Sequence, residues 1–201
     1  MFDAMLRPYI DPPLNAAGKM VANVGLSANA ITLLGLLSGL IAAYLVSIQW
    51  HELGLLFIAI SRIFDGLDGA VARATQKSDF GGYLDIVCDF IFYVSIPLGF
   101  AISDPANVLA ALVLIASFTI TGISFLAYAV IAAERGAQTS AHGEKSFFYS
   151  TGIAEGTETI AFFVIFCAFP GHFQILALVF AGLCFITVMQ RSYDAWKTFR
   201  Y

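Results

Sequence analysis

From Ala28 to Gln49 the chain reads ANAITLLGLLSGLIAAYLVSIQ, 22 residues without a charged side chain. A helix needs about 20 apolar residues to cross the hydrocarbon core of a bilayer. Comparable runs follow at about 53–76, 79–102, 106–134, 150–169 and 172–199. The pattern predicts an all-α integral membrane protein with six transmembrane helices, in one domain over residues 1–201. The chain is 59% hydrophobic and only 12% charged, whereas about a quarter of a soluble domain is charged. A net charge of −4 argues against nucleic acid as a partner.

The segment 1–20 is different. Phe2, Met5, Leu6 and Ile10 alternate with Asp3, Arg7 and Asp11. This predicts a short amphipathic helix lying along the interface, ended by Pro12 and Pro13. Lys and Arg give the orientation. With six spans, one side receives Arg7, Lys19, Arg73, Lys77, Arg135, Lys145, Arg191, Lys197 and Arg200. The opposite turns, near His51, Asp104 and His172, receive none, and Arg62 falls inside the second span. Basic residues stay on the cytoplasmic side, so both termini are expected there. Cys88, Cys167 and Cys184 show no CxxC spacing and read as buried, reduced thiols.

Against this background the stretch FDGLDGAVARATQKSDFGGYLDIVCDF, from Phe64 to Phe90, is anomalous. Asp65 and Asp68 stand at i, i+3 on the second predicted helix, and Asp85 and Asp89 at i, i+4 on the third, so each pair shares a face. A short loop makes the helices antiparallel neighbours, and the four carboxylates can meet near the cytoplasmic end. An Asp at a helix centre costs about 2.5–3.5 kcal/mol on insertion scales. Protonation relieves that cost, and divalent cations relieve it better, since hard oxygen ligands suit Mg²⁺ or Mn²⁺. Gly69 and Gly81 lie one turn from Asp65 and Asp85, Ala72 extends the small surface, and Arg73 offers a fork for phosphate oxygens. These residues suggest phosphoryl transfer from a diphosphate donor. They also suit an ion-coupled transporter, in which buried acids form the ion path.

The spacing Asp65-x2-Asp68-Gly69-x2-Ala72-Arg73, then Gly81-x3-Asp85-x3-Asp89, resembles the signature of the CDP-alcohol phosphatidyltransferases. The loop between Arg73 and Gly81 is seven residues, one shorter than the eight of the family pattern. Asn29 and Thr32 are similar to the family's P-N-x-x-T segment, with Ala28 in place of the proline. The run KSFFYSTGIAEGTETI looks like one found in a small bacterial inner-membrane branch. The resemblance implies that Asp65, Asp68 and Asp85 hold two Mg²⁺ or Mn²⁺ ions on the donor's diphosphate. Asp89 would act as general base and help hold the second ion. It implies further that Gly69, Ala72, Gly81 and Arg73 face the nucleotide and its phosphates, and that Asn29 and Thr32 seat the cytidine. CDP-diacylglycerol would be the donor, a polar alcohol the acceptor and CMP the leaving product. The alternative chemistry moves a phospho-alcohol from a CDP-linked small alcohol to a lipid hydroxyl. A homodimer in the bacterial inner membrane, its active site facing the cytoplasm and surrounded by lipid, completes the expectation.

The acceptor pocket is expected among the last three spans. Arg135, His142, Lys145 and Arg191 could hold a phosphate or belong to the basic cytoplasmic belt. Glu155 and Glu158 could receive an amine, or serve only the start of the fifth helix.

Overall fold

The computed structural model describes residues 3–135 and 152–200. Seven α-helices follow in order: α1 (Asp3–Asn23), α2 (Ala28–Ser47), α3 (His51–Ala74), α4 (Asp79–Ser103), α5 (Val108–Glu134), α6 (Gly156–Ala168) and α7 (Phe173–Phe199). Single 3₁₀ turns, Pro105–Asn107 and Pro170–His172, lead into α5 and α7. The described residues contain no strand.

Helix starts follow local chemistry. Ser27 caps α2, its hydroxyl accepting from the Ala30 N–H at 3.2 Å, and Ser78 caps α4 through the Gly81 N–H at 3.0 Å. Each satisfies a donor that the first turn would leave without a partner. Gly25 turns the chain between α1 and α2 at φ +86°, where a side chain would be strained.

Among the described residues, four segments are both long and apolar enough to cross a membrane: α2, α4, and α5 and α7 with their leading turns. The other two predicted spans differ. α3 has 24 residues, but Arg62, Asp65 and Asp68 interrupt its apolar course. α6 has only 13 residues, roughly 20 Å of helix, so the described helix is shorter than the span expected at 150–169. The interfacial segment needs correction as well. α1 continues through Pro8, Pro12 and Pro13 to Asn23. Each proline removes one backbone bond, and packing of the second half of α1 on α3 outweighs the loss. A Cβ on Gly18 would lie 2.7 Å from Ala70, and one on Gly66 would lie 2.8 Å from Leu14.

α2 is the hub of the first half, lying against both α3 and α4. Its small residues permit this. A Cβ on Gly39 would lie 2.5 Å from Phe92, and one on Gly99 would lie 2.5 Å from the Ala43 carbonyl oxygen. Ser61 of α3 donates to the Gly35 carbonyl of α2 at 2.8 Å, which fixes the register of that pair. The second half packs on aromatic rings. Phe92 and Phe100 of α4, Phe163 and Phe166 of α6, and Phe173 and Phe180 of α7 are fully buried. Phe100 and Phe173 stack with centroids 4.3 Å apart. The outward faces are apolar too: Leu37, Ile102, Leu109, Ile123 and Ile175 are each more than half exposed. Such a surface would drive aggregation in water, and it suits hydrocarbon. With these helices, the protein is a multi-pass membrane protein.

Candidate metal and phosphotransfer site

Helical periodicity places Arg62, Asp65 and Asp68 on one face of α3, at i, i+3 and i+6. The cap at Ser78 starts α4 so that Asp85 and Asp89 fall one and two turns beyond Gly81. Where the two faces meet, carboxylate oxygens of Asp65, Asp85 and Asp89 all lie within 4.8 Å of one another. Unit charges at that separation repel by about 3.5 kcal/mol per pair at an effective dielectric constant of 20. Protonation or a nearby cation would relieve that repulsion.

One cation is in the chain itself. Arg62 Nη1 lies 2.8 Å from Asp89 Oδ1 and 3.4 Å from Asp65 Oδ1. Its guanidinium rests 4.1 Å above the centre of the Phe92 ring, and Nη2 donates to the Ser61 hydroxyl at 3.2 Å. Asp68 stands beside the cluster, only 5% exposed, with Oδ2 accepting from the Thr32 hydroxyl at 2.6 Å. Thr32, Gly35, Arg62, the three acids Asp65, Asp68 and Asp89, and the Cys88 thiol line a common cavity. The donor set fits a divalent ion: oxygens on one Mg²⁺ or Mn²⁺ at about 2.1 Å are at most roughly 4.2 Å apart, so small rotations of these side chains would close the set.

The expected nucleotide residues gather at the same end. The position of a Cβ on Gly81 is 3.1 Å from Asn29 Oδ1, which puts the start of α2 beside the start of α4. Thr32 is engaged with Asp68. Gly69 and Ala72 are half-buried along α3. Arg73 is exposed, and its Nε donates to Asn15 Oδ1 of α1 at 3.0 Å.

The expected acceptor residues separate into two places. Arg191 of α7 is buried and donates to the Thr121 carbonyl and the Ser124 hydroxyl of α5, each at 3.0 Å. Glu155 lies close by: its carboxylate accepts from the Gly152 N–H at 2.7 Å, and the Cβ position of Gly152 is 3.4 Å from Arg191 Nη2. Glu155 and Glu158 form a reciprocal capping box at the start of α6. Arg135 lies elsewhere, donating to the Phe199 carbonyl at 2.8 Å near the end of α7. His142 and Lys145 lie outside the described residues.

Two partners of the site were not foreseen from sequence. Arg62 stands three residues before Asp65 on the same face, and that spacing is the signal that could have found it. Asn15 carries no such signal, because only the packing of α1 on α3 brings it to Arg73.

Comparison with known proteins places this arrangement. The CDP-alcohol phosphatidyltransferase pattern matches residues 25–189. The inner membrane protein YnjF of Escherichia coli is 38% identical over 201 residues, covering all of this chain and 98% of that protein. The archaetidylinositol phosphate synthase of Pyrococcus horikoshii is 35% identical over 194 residues, covering 96% and 95%. Among solved structures, the fold is similar to the phosphatidylinositol phosphate synthase PgsA1 of Mycobacterium tuberculosis with CDP-DAG bound. The TM-score is 0.73 at 21% identity, over 91% of this chain and 93% of that one. The same synthase in complex with manganese and citrate gives 0.74 at 20% identity, over 91% and 88%. The chain is a transferase of the CDP-alcohol phosphatidyltransferase family, a membrane enzyme of phospholipid synthesis.

Proposed function

We propose that the protein transfers a phosphatidyl group from CDP-diacylglycerol to a polar alcohol and releases CMP. The observation that carries this reading is the convergence of Asp65, Asp85 and Asp89 from two helices, with Asp68 beside them. Asp65, Asp68 and Asp85 would hold two Mg²⁺ or Mn²⁺ ions, and Asp89 would share the second. When bound, these ions neutralise charge on the donor's diphosphate and on the oxygens of the transferred phosphoryl group. Gly69, Ala72 and Gly81 leave room for the nucleotide to approach the helix backbones, Asn29 and Thr32 border it, and Arg73 meets the phosphates.

Asp89 takes the proton of the acceptor hydroxyl. That oxygen forms a bond to the lipid-linked phosphorus, the phosphorus–oxygen bond to CMP breaks, and CMP leaves with the electron pair. Six passes, with both termini and the site on the cytoplasmic side of a bacterial inner membrane, fit the basic residues of the sequence. A homodimer is the assembly we expect.

The acceptor is drawn from the second half of the chain. Arg191 and Glu155 border one place there, and Arg135, Lys145 and Glu158 are further contacts to test. A relative that is an archaetidylinositol phosphate synthase makes inositol phosphate the first acceptor to try. The experiment supplies purified protein with CDP-diacylglycerol, Mg²⁺ or Mn²⁺, and inositol phosphate, glycerol 3-phosphate, serine or choline in turn. CMP release is followed, and the lipid product is identified by mass spectrometry. The expected result is CMP with at least one acceptor. Silence with all of them, together with CMP from a CDP-linked small alcohol and diacylglycerol, would exchange this reading for the reverse transfer.

A further inference from the structure

Arg62 belongs to none of the motif positions, yet it touches two of the three clustered carboxylates. One nitrogen, Nη1, serves Asp89 Oδ1 at 2.8 Å and Asp65 Oδ1 at 3.4 Å. The contact is built from behind as well as in front. Phe92, fully buried, lies beneath the guanidinium, with its ring centre 4.1 Å from Cζ, and Ser61, itself bonded to the Gly35 carbonyl, accepts from Nη2. The side chain is 17% exposed. Its buried Nε has no hydrogen-bond partner among the described residues, so the guanidinium keeps this pose without satisfying all its donors. Phe92 and Ser61 hold it where a divalent ion on Asp65 and Asp89 would meet it within a few ångströms.

We propose that Arg62 is a positioning residue, a resident counter-cation that shares Asp65 and Asp89 with the incoming metal. This rests on reading Asp65, Asp85 and Asp89 as a metal centre. In the metal-free enzyme Arg62 keeps the repelling carboxylates together and aims Asp89. Toward a divalent ion it is a competitor: a charge of +1 about 5 Å from a charge of +2 weakens binding on the order of tenfold even with water-like screening. The anionic diphosphate of the donor offsets that repulsion, so Arg62 makes tight metal binding conditional on nucleotide. A residue that merely stabilised the fold would act in the opposite direction, since its loss would loosen the ligands and weaken the metal.

The test titrates Mn²⁺ alone into the full-length protein at pH 8, by electron paramagnetic resonance, with and without CDP. Arg62→Gln is expected to bind Mn²⁺ roughly tenfold more tightly than wild type without CDP. It should gain less from added CDP and turn over more slowly. Arg62→Lys, which keeps the charge, is expected to stay near the wild-type Mn²⁺ affinity. Asp89→Asn provides a second background, in which removing the guanidinium orphans one carboxylate fewer. Arg62→Gln should tighten Mn²⁺ there too, which covers the case in which the single variant fails to fold. Equal or weaker Mn²⁺ binding by folded Arg62→Gln, alone or with Asp89→Asn, overturns the role given to Arg62 and leaves the metal centre standing. No Mn²⁺ binding by wild type, with or without CDP, overturns the metal centre and this inference with it.

Discussion

Thr32→Val separates what the structure shows of Thr32 from what the family resemblance implies. In the structure the Thr32 hydroxyl lies 2.6 Å from Asp68 Oδ2, and the acid is only 5% exposed. Valine has nearly the same shape and cannot donate. A hydrogen bond to a buried charged group contributes about 1.5–3 kcal/mol, because the acceptor left behind has lost water as well as its partner. The substitution should therefore lower folding stability by about 1.5–3 kcal/mol before any substrate is added. Thr32→Ser, which keeps the hydroxyl and loses a methyl group, should cost about 1 kcal/mol or less. Equilibrium unfolding in mixed detergent micelles would read both. The Mn²⁺ dependence of CMP release would then show whether a loosened Asp68 also weakens metal use. If Thr32→Val were as stable as wild type and only its half-saturating CDP-diacylglycerol concentration rose, Thr32 would act on the nucleotide, and its bond to Asp68 would be incidental.

Asp89→Asn keeps an oxygen toward the metal but cannot take a proton, so CMP release should fall on the order of 10²–10⁴-fold; turnover within threefold of wild type would remove the base. Chelation with EDTA should abolish CMP release and Mn²⁺ or Mg²⁺ should restore it, while persistent activity after exhaustive chelation would disprove the metal centre. Gly39→Ala and Gly99→Ala both overfill contacts of α2 and α4, with built Cβ positions 2.5 Å from Phe92 and from the Ala43 carbonyl. Each should destabilise by about 1–3 kcal/mol. Only Gly39→Ala pushes the ring under Arg62, so Mn²⁺ binding should change there and not in Gly99→Ala; equal changes in both would break the link between core and site.

The acidic centre was legible because spacing alone fixed its faces. Asp65 with Asp68 and Asp85 with Asp89 sit at helical repeats on neighbouring helices, and three of the four meet within 4.8 Å. Arg62 escaped because a lone arginine inside the second span was set aside from the orientation count, and its i, i+3 relation to Asp65 was not used. The end expected for α1 at Pro12 and Pro13 failed for another reason. Proline's local penalty is finite, and the close approach of Gly18 to Ala70 is a tertiary fact that no window of sequence contains. The start of α6 lay between. Glu155 and Glu158 have capping-box spacing, but a glutamate at the cap is uncommon, so an amine-binding role stood equally open. The aromatic core was illegible in detail, since its rings come from positions as far apart as Phe92 and Phe180.

Those rings bear on function through one side chain. Phe92 faces Arg62 on one side and packs edge-on against Phe163 of α6 at 5.6 Å on another. Gly39 of α2 closes a third side. The guanidinium that touches Asp65 and Asp89 thus rests on a ring that α2 and α6 hold in place, so the first and second halves of the chain meet at the carboxylates. A four-acid cluster in an apolar chain repels itself and cannot set its own geometry. Here the geometry comes from packing outside it: the Ser61–Gly35 bond and the glycine face of α2 fix α3 and α4, and the aromatic core fixes the arginine that holds two of the acids together.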